Sequence, residues 1–105
     1  MEKSGDEMVE VLAALANPHR LRMLGLLQSG RNYVSQIARE VGLSRPLVHM
    51  HLQKLEAAGL IEGSLEVSDD GRAMKYFEVA PFTIRLTPRS VAEIAATITA
   101  QGGNE

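Results

Sequence analysis

The sequence predicts a mainly helical fold carrying a β-hairpin, a winged helix-turn-helix in the order α-α-α-α-β-β-α. Three observations predict it. Apolar residues recur at helical spacing in four successive segments, each opened by a capping residue or closed by glycine. The third and fourth segments are joined by Gly42-Leu43-Ser44, a tight glycine-containing turn of the helix-turn-helix kind. After Gly59 the period changes, and two strand-like runs flank Asp70-Gly71, a strong hairpin signal.

The elements follow in order. Ser4 stands three residues before Glu7, the capping-box spacing, and Met8, Val11, Leu12 and Leu15 then repeat on one stripe, so a first helix is expected over roughly 5–16. Asn17-Pro18 ends it and opens a second, with Asn as N-cap and proline at the first helical position. Leu21, Met23, Leu24 and Leu27 are its apolar positions, and it stops before Gly30. In "YVSQIAREVG" Ser35 is expected to cap a short third helix striped by Ile37, Ala38 and Val41. Gly42 closes it, because a helix exit often needs the left-handed conformation. Ser44 caps the fourth helix, Pro46 sits in its first turn, and the helix is expected to reach Ala58 before Gly59. "LIEGSLEV" and "AMKYFEV" are the hairpin strands, and "FTIRL" after Pro81 is expected as a third short extended piece. Thr87-Pro88 again combines cap and proline, opening a fifth helix striped by Val91, Ile94, Ala95 and Ile98. Residues 101–105, "QGGNE", are expected to form a frayed tail. With no internal repeat or low-complexity linker, residues 1–105 are expected to make one domain.

Composition narrows the function. Apolar residues are 45% and charged residues 23%, enough for a packed core. No apolar run approaches the roughly 20 residues of a membrane span, and the polar, acidic "MEKSGDEMVE" is no secretory signal. The absence of cysteine excludes disulfides, thiolate metal sites and thiol redox sensing. A cytoplasmic protein without a membrane partner is expected. The net charge of −2 is unevenly laid out. Residues 1–17 carry Lys3 against Glu2, Asp6, Glu7 and Glu10, a net −3. Residues 18–54 carry Arg20, Arg22, Arg31, Arg39, Arg45 and Lys54 against Glu40, a net +5. Residues 55–105 carry Arg72, Lys75, Arg85 and Arg89 against eight acids, a net −4. A basic middle between acidic ends is an electrostatic footprint for a polyanion, or else a solvated surface whose charges mix in three dimensions.

The fourth helix, "LVHMHLQKLEAAGLI", raises the question of metal, because His49 and His51 lie one residue apart. On a helix that spacing turns them about 200° from each other, whereas chelating pairs need i,i+3 or i,i+4. They share no metal, and none is expected. His19 is the one further imidazole that could join either of them; lone surface imidazoles are the expectation. Val48, Leu52 and Leu55 cluster in one narrow arc, which faces the core. Opposite lie Pro46, Met50, Gln53 and Ala57, flanked by His49 and Lys54, with Ser44 and Arg45 at the N-terminus. Such a face suits a major groove about 12 Å wide. Arg45 can grip guanine in bidentate fashion, Gln53 can pair with adenine, His49 can donate to a base edge or phosphate, and Met50 can touch a thymine methyl. The alternative for each is an ordinary exposed side chain. Arg72 and Lys75 on the hairpin, with Arg31, Ser35 and Arg39 around the third helix, are candidates for phosphate contacts. Asp69 and Asp70 weaken the hairpin's case, because phosphate repels them.

"LANPHRLRMLGLL", "VSQIAREVGLSRPLVHMHLQKLEAAGLI" and "GRAMKYFEV" resemble successive segments of ArsR/SmtB-type winged-helix transcriptional regulators. The resemblance covers roughly residues 8–79 and is most specific from Ile37-Ala38 to Leu60-Ile61. It implies a homodimer acting on a short inverted repeat of double-stranded DNA near a promoter, as a repressor. It also implies that the first and last helices pack across the two-fold axis, here through Met8, Val11, Leu12 and Leu15 with Val91, Ile94 and Ile98. Those stripes could instead be intramolecular core; exposed apolar helices on so small a domain make dimerisation the expectation. Metal-sensing members of the family carry cysteines in the helix written here "VSQIAREV", or Asp and His with Glu or His on the last helix. This chain has Ser35 in the first place and Glu93 alone in the second. Neither site carries over, so no cofactor is expected, and a non-metal small-molecule effector, or none, is implied. "PFTIRLTPRSVAEI" departs from the family's usual direct passage into the last helix.

Two other classes remain. Catalysis would need a nucleophile–base pair or paired carboxylates in a pocket, and no such motif is present. A winged helix that assembles proteins without specific DNA binding is the stronger rival, since fold does not fix function. The acidic totals favour it slightly, and the basic Arg20–Lys54 stretch favours DNA. RNA binding is disfavoured by the scarcity of aromatics for base stacking.

Overall fold

Capping chemistry sets the helix starts in the computed structural model, which describes residues 3–99. The first helix, α1 (Gly5–Leu15), opens with the predicted capping box: Ser4 Oγ accepts from the Glu7 N–H and the Glu7 carboxylate accepts from the Ser4 N–H. Asn17 Oδ1 accepts from the His19 and Arg20 N–H groups at the head of α2 (Pro18–Gln28). The helix-turn-helix follows as α3 (Val34–Val41) and α4 (Arg45–Ala57), joined through Gly42 at φ 72°. Both the Gly42 and Leu43 N–H groups return to the Ala38 carbonyl, a closure that needs this left-handed residue. Thr87 and Ser90 form a reciprocal capping box on α5 (Pro88–Ala96).

The hairpin pairs β2 (Ile61–Val67) with β3 (Ala73–Val79), from Ile61 opposite Val79 to Val67 opposite Ala73. The structure adds a short strand that periodicity did not reveal, β1 (Asn32–Tyr33), antiparallel to the other side of β3. This pairing changes two expectations. Tyr33, not Ser35, is the N-cap of α3, and it makes no side-chain cap bond; Ser35 lies inside the first turn. "FTIRL" forms no strand; the third strand of the sheet is β1 instead. Two helix ends also move inward: α4 stops at Ala57 with Ala58 as C-cap, and α5 stops at Ala96, leaving Ile98 beyond it. The expected tail at 101–105 lies outside the described residues.

The core forms where α1, α2, α3, α4 and the base of the hairpin meet, around Met23, Ile37, Val48, Leu52, Leu55, Leu60, Ile61 and Phe77. The arc expected of α4 is all there: Val48, Leu52 and Leu55 are each 0% exposed. Val11 is also core, so it does not belong to an outward dimerisation stripe; Met8, Leu12 and Leu15 are half-buried. The last helix is different, since none of its residues is buried. It is tied to the start of α1 by backbone-level contacts. The Gly5 N–H donates to Thr97 Oγ1 at 2.6 Å, and Asp6 accepts from the N–H and hydroxyl of Thr99. A Cβ on Gly5 would lie 2.3 Å from the Ile94 carbonyl oxygen, a backbone atom that cannot step aside. Gly5→Ala is therefore expected to cost about 1–3 kcal/mol through overpacking, read as a lower urea midpoint at unchanged slope. An unchanged midpoint would mean that α5 does not seat on α1 in this way.

Candidate nucleic-acid interface

The second helix of the helix-turn-helix presents its N-terminal half to solvent. Ser44 Oγ accepts from the Leu47 N–H at 3.4 Å, and Arg45 and Pro46 form the first turn, where the helix dipole favours an anion. Arg45, Pro46, His49, Met50, Gln53 and Lys54 are all exposed, as expected of them. Leu47 joins them at 45% exposure, a residue that apolar character alone assigned to no face. Its signal was positional: 47, 50 and 54 repeat at helical spacing on the side away from Val48 and Leu52.

The opposite flank of α4 overturns two expectations. His51 is not a surface imidazole; it is 5% exposed. Arg20 does not belong to the basic surface either, because its guanidinium is buried between α1, α2 and α4. Arg20 Nε donates to the Ala14 carbonyl at 2.7 Å and Nη2 to the Ala13 carbonyl at 3.3 Å, groups that the end of α1 leaves open. Nη1 lies 3.1 Å from His51 Nδ1. His49 and His51 thus diverge, one outward and one inward, and among the described residues no cluster of three or more His, Asp or Glu is placed to hold a metal ion.

The remaining predicted cations are engaged to different degrees. Arg31 pairs with Glu66 and lies 4.5 Å from the centroid of the Tyr76 ring, which Tyr33 meets edge-on. Lys75 lies 3.7 Å from Glu56 and over the Phe77 ring. Arg72 lies 3.8 Å from Asp70, whose carboxyl is held below its ordinary value by the Ser68 hydroxyl and the Arg72 N–H. Arg39 donates to Gln36, which donates to Glu40. Ser35 is half-buried beside them. The partners of Arg31 and Lys75 are half exposed, and such solvent-screened pairs contribute little, so phosphate can displace them. The hairpin as a whole carries Glu62, Glu66, Asp69, Asp70 and Glu78 against Arg72 and Lys75. The hairpin is therefore acidic, and the exposed cations Arg45 and Lys54 stand on α4 and Arg39 on α3.

Residues 17–63, which span α2 to the start of β2, match the family model described as "Bacterial regulatory protein, arsR family". An HTH-type transcriptional regulator of Methanocaldococcus jannaschii is 37% identical over 76 residues, covering 72% of this chain and 79% of that protein. This chain belongs to the arsR family. It is a transcriptional regulator built on a winged helix-turn-helix DNA-binding domain, in a family of regulators and not of enzymes. A similar solved structure is the homodimeric winged helix-turn-helix DNA-binding domain of a possible ArsR-family regulator from Mycobacterium bovis, studied as a fragment by NMR. It is 31% identical, covers 87% of this chain and 73% of that one, and superposes with a TM-score of 0.65. A biofilm growth-associated repressor of Xylella fastidiosa is 29% identical over 62 residues, but this chain covers only 54% of it. No helix among the described residues of this arsR-family chain is long and apolar enough to cross a membrane.

The two neighbouring arginines of α2 should behave oppositely. Arg20→Met strands two carbonyls and a ring nitrogen and is expected to cost about 1.5–3 kcal/mol, the scale of a lost charged hydrogen-bond donor. Arg22→Met, at an exposed position, is expected to stay within about 0.5 kcal/mol of the parent. Urea denaturation of both variants measures the contrast, and equal midpoints would contradict the burial of Arg20.

Proposed function

We propose that this chain is a cytoplasmic repressor that binds an inverted-repeat operator as a homodimer, each protomer laying the N-terminal half of α4 in a major groove. The observation that carries the reading is the single outward face of α4, where Arg45, His49, Met50, Gln53 and Lys54 stand exposed while Val48, Leu52 and Leu55 fix the opposite face in the core. Arg45 sits in the first turn, where recognition helices make base contacts, and reaches guanine O6 and N7. Gln53 pairs with adenine, His49 with a base edge or phosphate, and Met50 with a thymine methyl. Ser44 and Lys54 hold the phosphates flanking the helix. Arg39, Ser35 and Arg31 extend that contact along the backbone, and Arg72 and Lys75 touch it from the hairpin. Pro46 presets the backbone of the first turn.

Dimerisation through α1 and α5 is supported by the homodimeric relative and by the state of α5 in the lone protomer. Val91 is 49% exposed and Ile98, just past the helix, 42%. A cleft of about 560 Å³ opens between α5, α1 and the 81–85 connector, lined by Met8, Leu60, Phe82, Ile84 and Ile94. A second copy covering Val91, Ile94 and Ile98, with Met8, Leu12 and Leu15 beneath, removes this apolar surface from water. The repressor role is supported by the Xylella relative, a biofilm growth-associated repressor.

Fluorescence anisotropy with duplex from the chain's own upstream region, at several salt concentrations, tests the reading. Binding is expected to weaken steeply with salt as condensed counterions are released. Arg45→Ala should lose about 1–3 kcal/mol at one base-pair position and relax its sequence preference. Val91→Glu should shift the protein to monomer in analytical ultracentrifugation and lose operator affinity with it. The acidic hairpin favours one rival reading, a protein-assembly module, and absence of binding to any duplex at low salt would select it.

A further inference from the structure

His51 is a buried polar residue of α4 that neither DNA contact nor apolar packing explains. A guanidinium nitrogen only donates, so His51 Nδ1, 3.1 Å from Arg20 Nη1, must accept and carry no proton. The ring is then neutral, with its proton on Nε2. Arg20 cannot yield, because its other nitrogens hold the last carbonyls of α1. His19, at the start of α2, lies against the same ring with centroids 5.7 Å apart, and its Nδ1 is buried without a hydrogen-bond partner. Lys54 adds a further positive charge from α4 itself. The groups facing His51 are therefore Arg20 and His19 from α2, neutral carbonyl-bearing backbone from α1, and Lys54. Among the described residues no carboxylate from α1, α3 or β2 balances them. Burial first, then Arg20, His19 and Lys54, hold the imidazole below its ordinary value.

We infer that the His51–Arg20 contact is an acid-sensitive latch on the DNA-reading helix: protonating His51 sets cation against cation, loosens the seat of α4 and releases DNA. The inference rests on the reading of α4 as the DNA-contacting helix. Its sign follows from linkage. The folded, latched state takes up the proton at lower pH than the unfolded or unlatched state does. Both stability and the latched population are full above the ordinary imidazole value of about 6.5. They fall as pH drops through it, and level off below the depressed folded value. One linked proton limits the loss of DNA affinity to about tenfold per pH unit.

The test uses the full chain and the upstream duplex with a pH-insensitive rhodamine label, at constant ionic strength from about pH 8 to about pH 5.5, a range spanning the ordinary imidazole value. His51→Asn places an amide oxygen near the Nδ1 position and accepts from Arg20 at every pH. The wild type is expected to lose affinity with acid, and His51→Asn to stay flat or gain. Superimposable profiles would overturn the latch. In parallel, NMR of the wild type follows the His51 ring and the α4 amides through the same range, which serves if the variant does not fold. Amide shifts tracking the His51 titration support the latch; titration of the ring without movement in α4, or no titration at all, overturns it. Failure to bind any duplex at any pH defeats the DNA reading alone, and the NMR arm then decides the latch by the same criterion.

Discussion

The architecture turns on one buried guanidinium. Arg20 joins three helices: its side-chain donors go to two carbonyls that end α1 and to the ring nitrogen of His51 on α4, while its own backbone belongs to α2. A buried cation without partners would be prohibitive, but here the partners are the negative end of a helix and a neutral acceptor. The result orders α4 against α1. Few residues in so small a domain could couple those two parts, and an apolar side chain at this position would pack without orienting either of them.

That coupling divides α4 lengthwise. Its inner side is apolar except at His51, and it is locked by packing with Ile37 of α3 and Met23 of α2. Its outer side keeps exposed side chains that are long, polar or soft. β1 extends the same logic to the hairpin. By pairing with β3 it ties the start of the helix-turn-helix to the wing, and Tyr33, Tyr76 and Arg31 stack across that joint.

The wing itself carries more acid than base, Glu62, Glu66, Asp69, Asp70 and Glu78 against Arg72 and Lys75, so on the proposed reading its approach to a phosphate backbone is local. Leu65 and Val67, 70% and 69% exposed, give the outer part of the hairpin an apolar face beyond the core. On the proposed reading, binding strength depends on α3 and α4, and the orientation of α4 is what regulation would act upon.

Much of this was legible in the residues. Ser4, Asn17, Gly42, Ser44 and Thr87 announce helix ends by local chemistry, which does not depend on the rest of the chain. The core arc of α4 follows from a fixed angle per residue, and the hairpin from Asp70-Gly71 between alternating runs. The outward site residues of α4 were legible for the same reason. What only the tertiary structure decided depends on contacts distant in sequence. Strand β1 exists because β3, some forty residues later, offers it an edge, and no two-residue segment has a period of its own. Arg20 and His51 read as surface charge and surface imidazole, because polar residues are usually outside. Their burial required the open carbonyls of α1, α2 and α4 to meet at one point. The sequence by itself determined where helices and strands begin and which face of each is apolar, since these are set by neighbouring residues. The tertiary structure alone decided which polar groups are buried together, because that depends on how the helices cross.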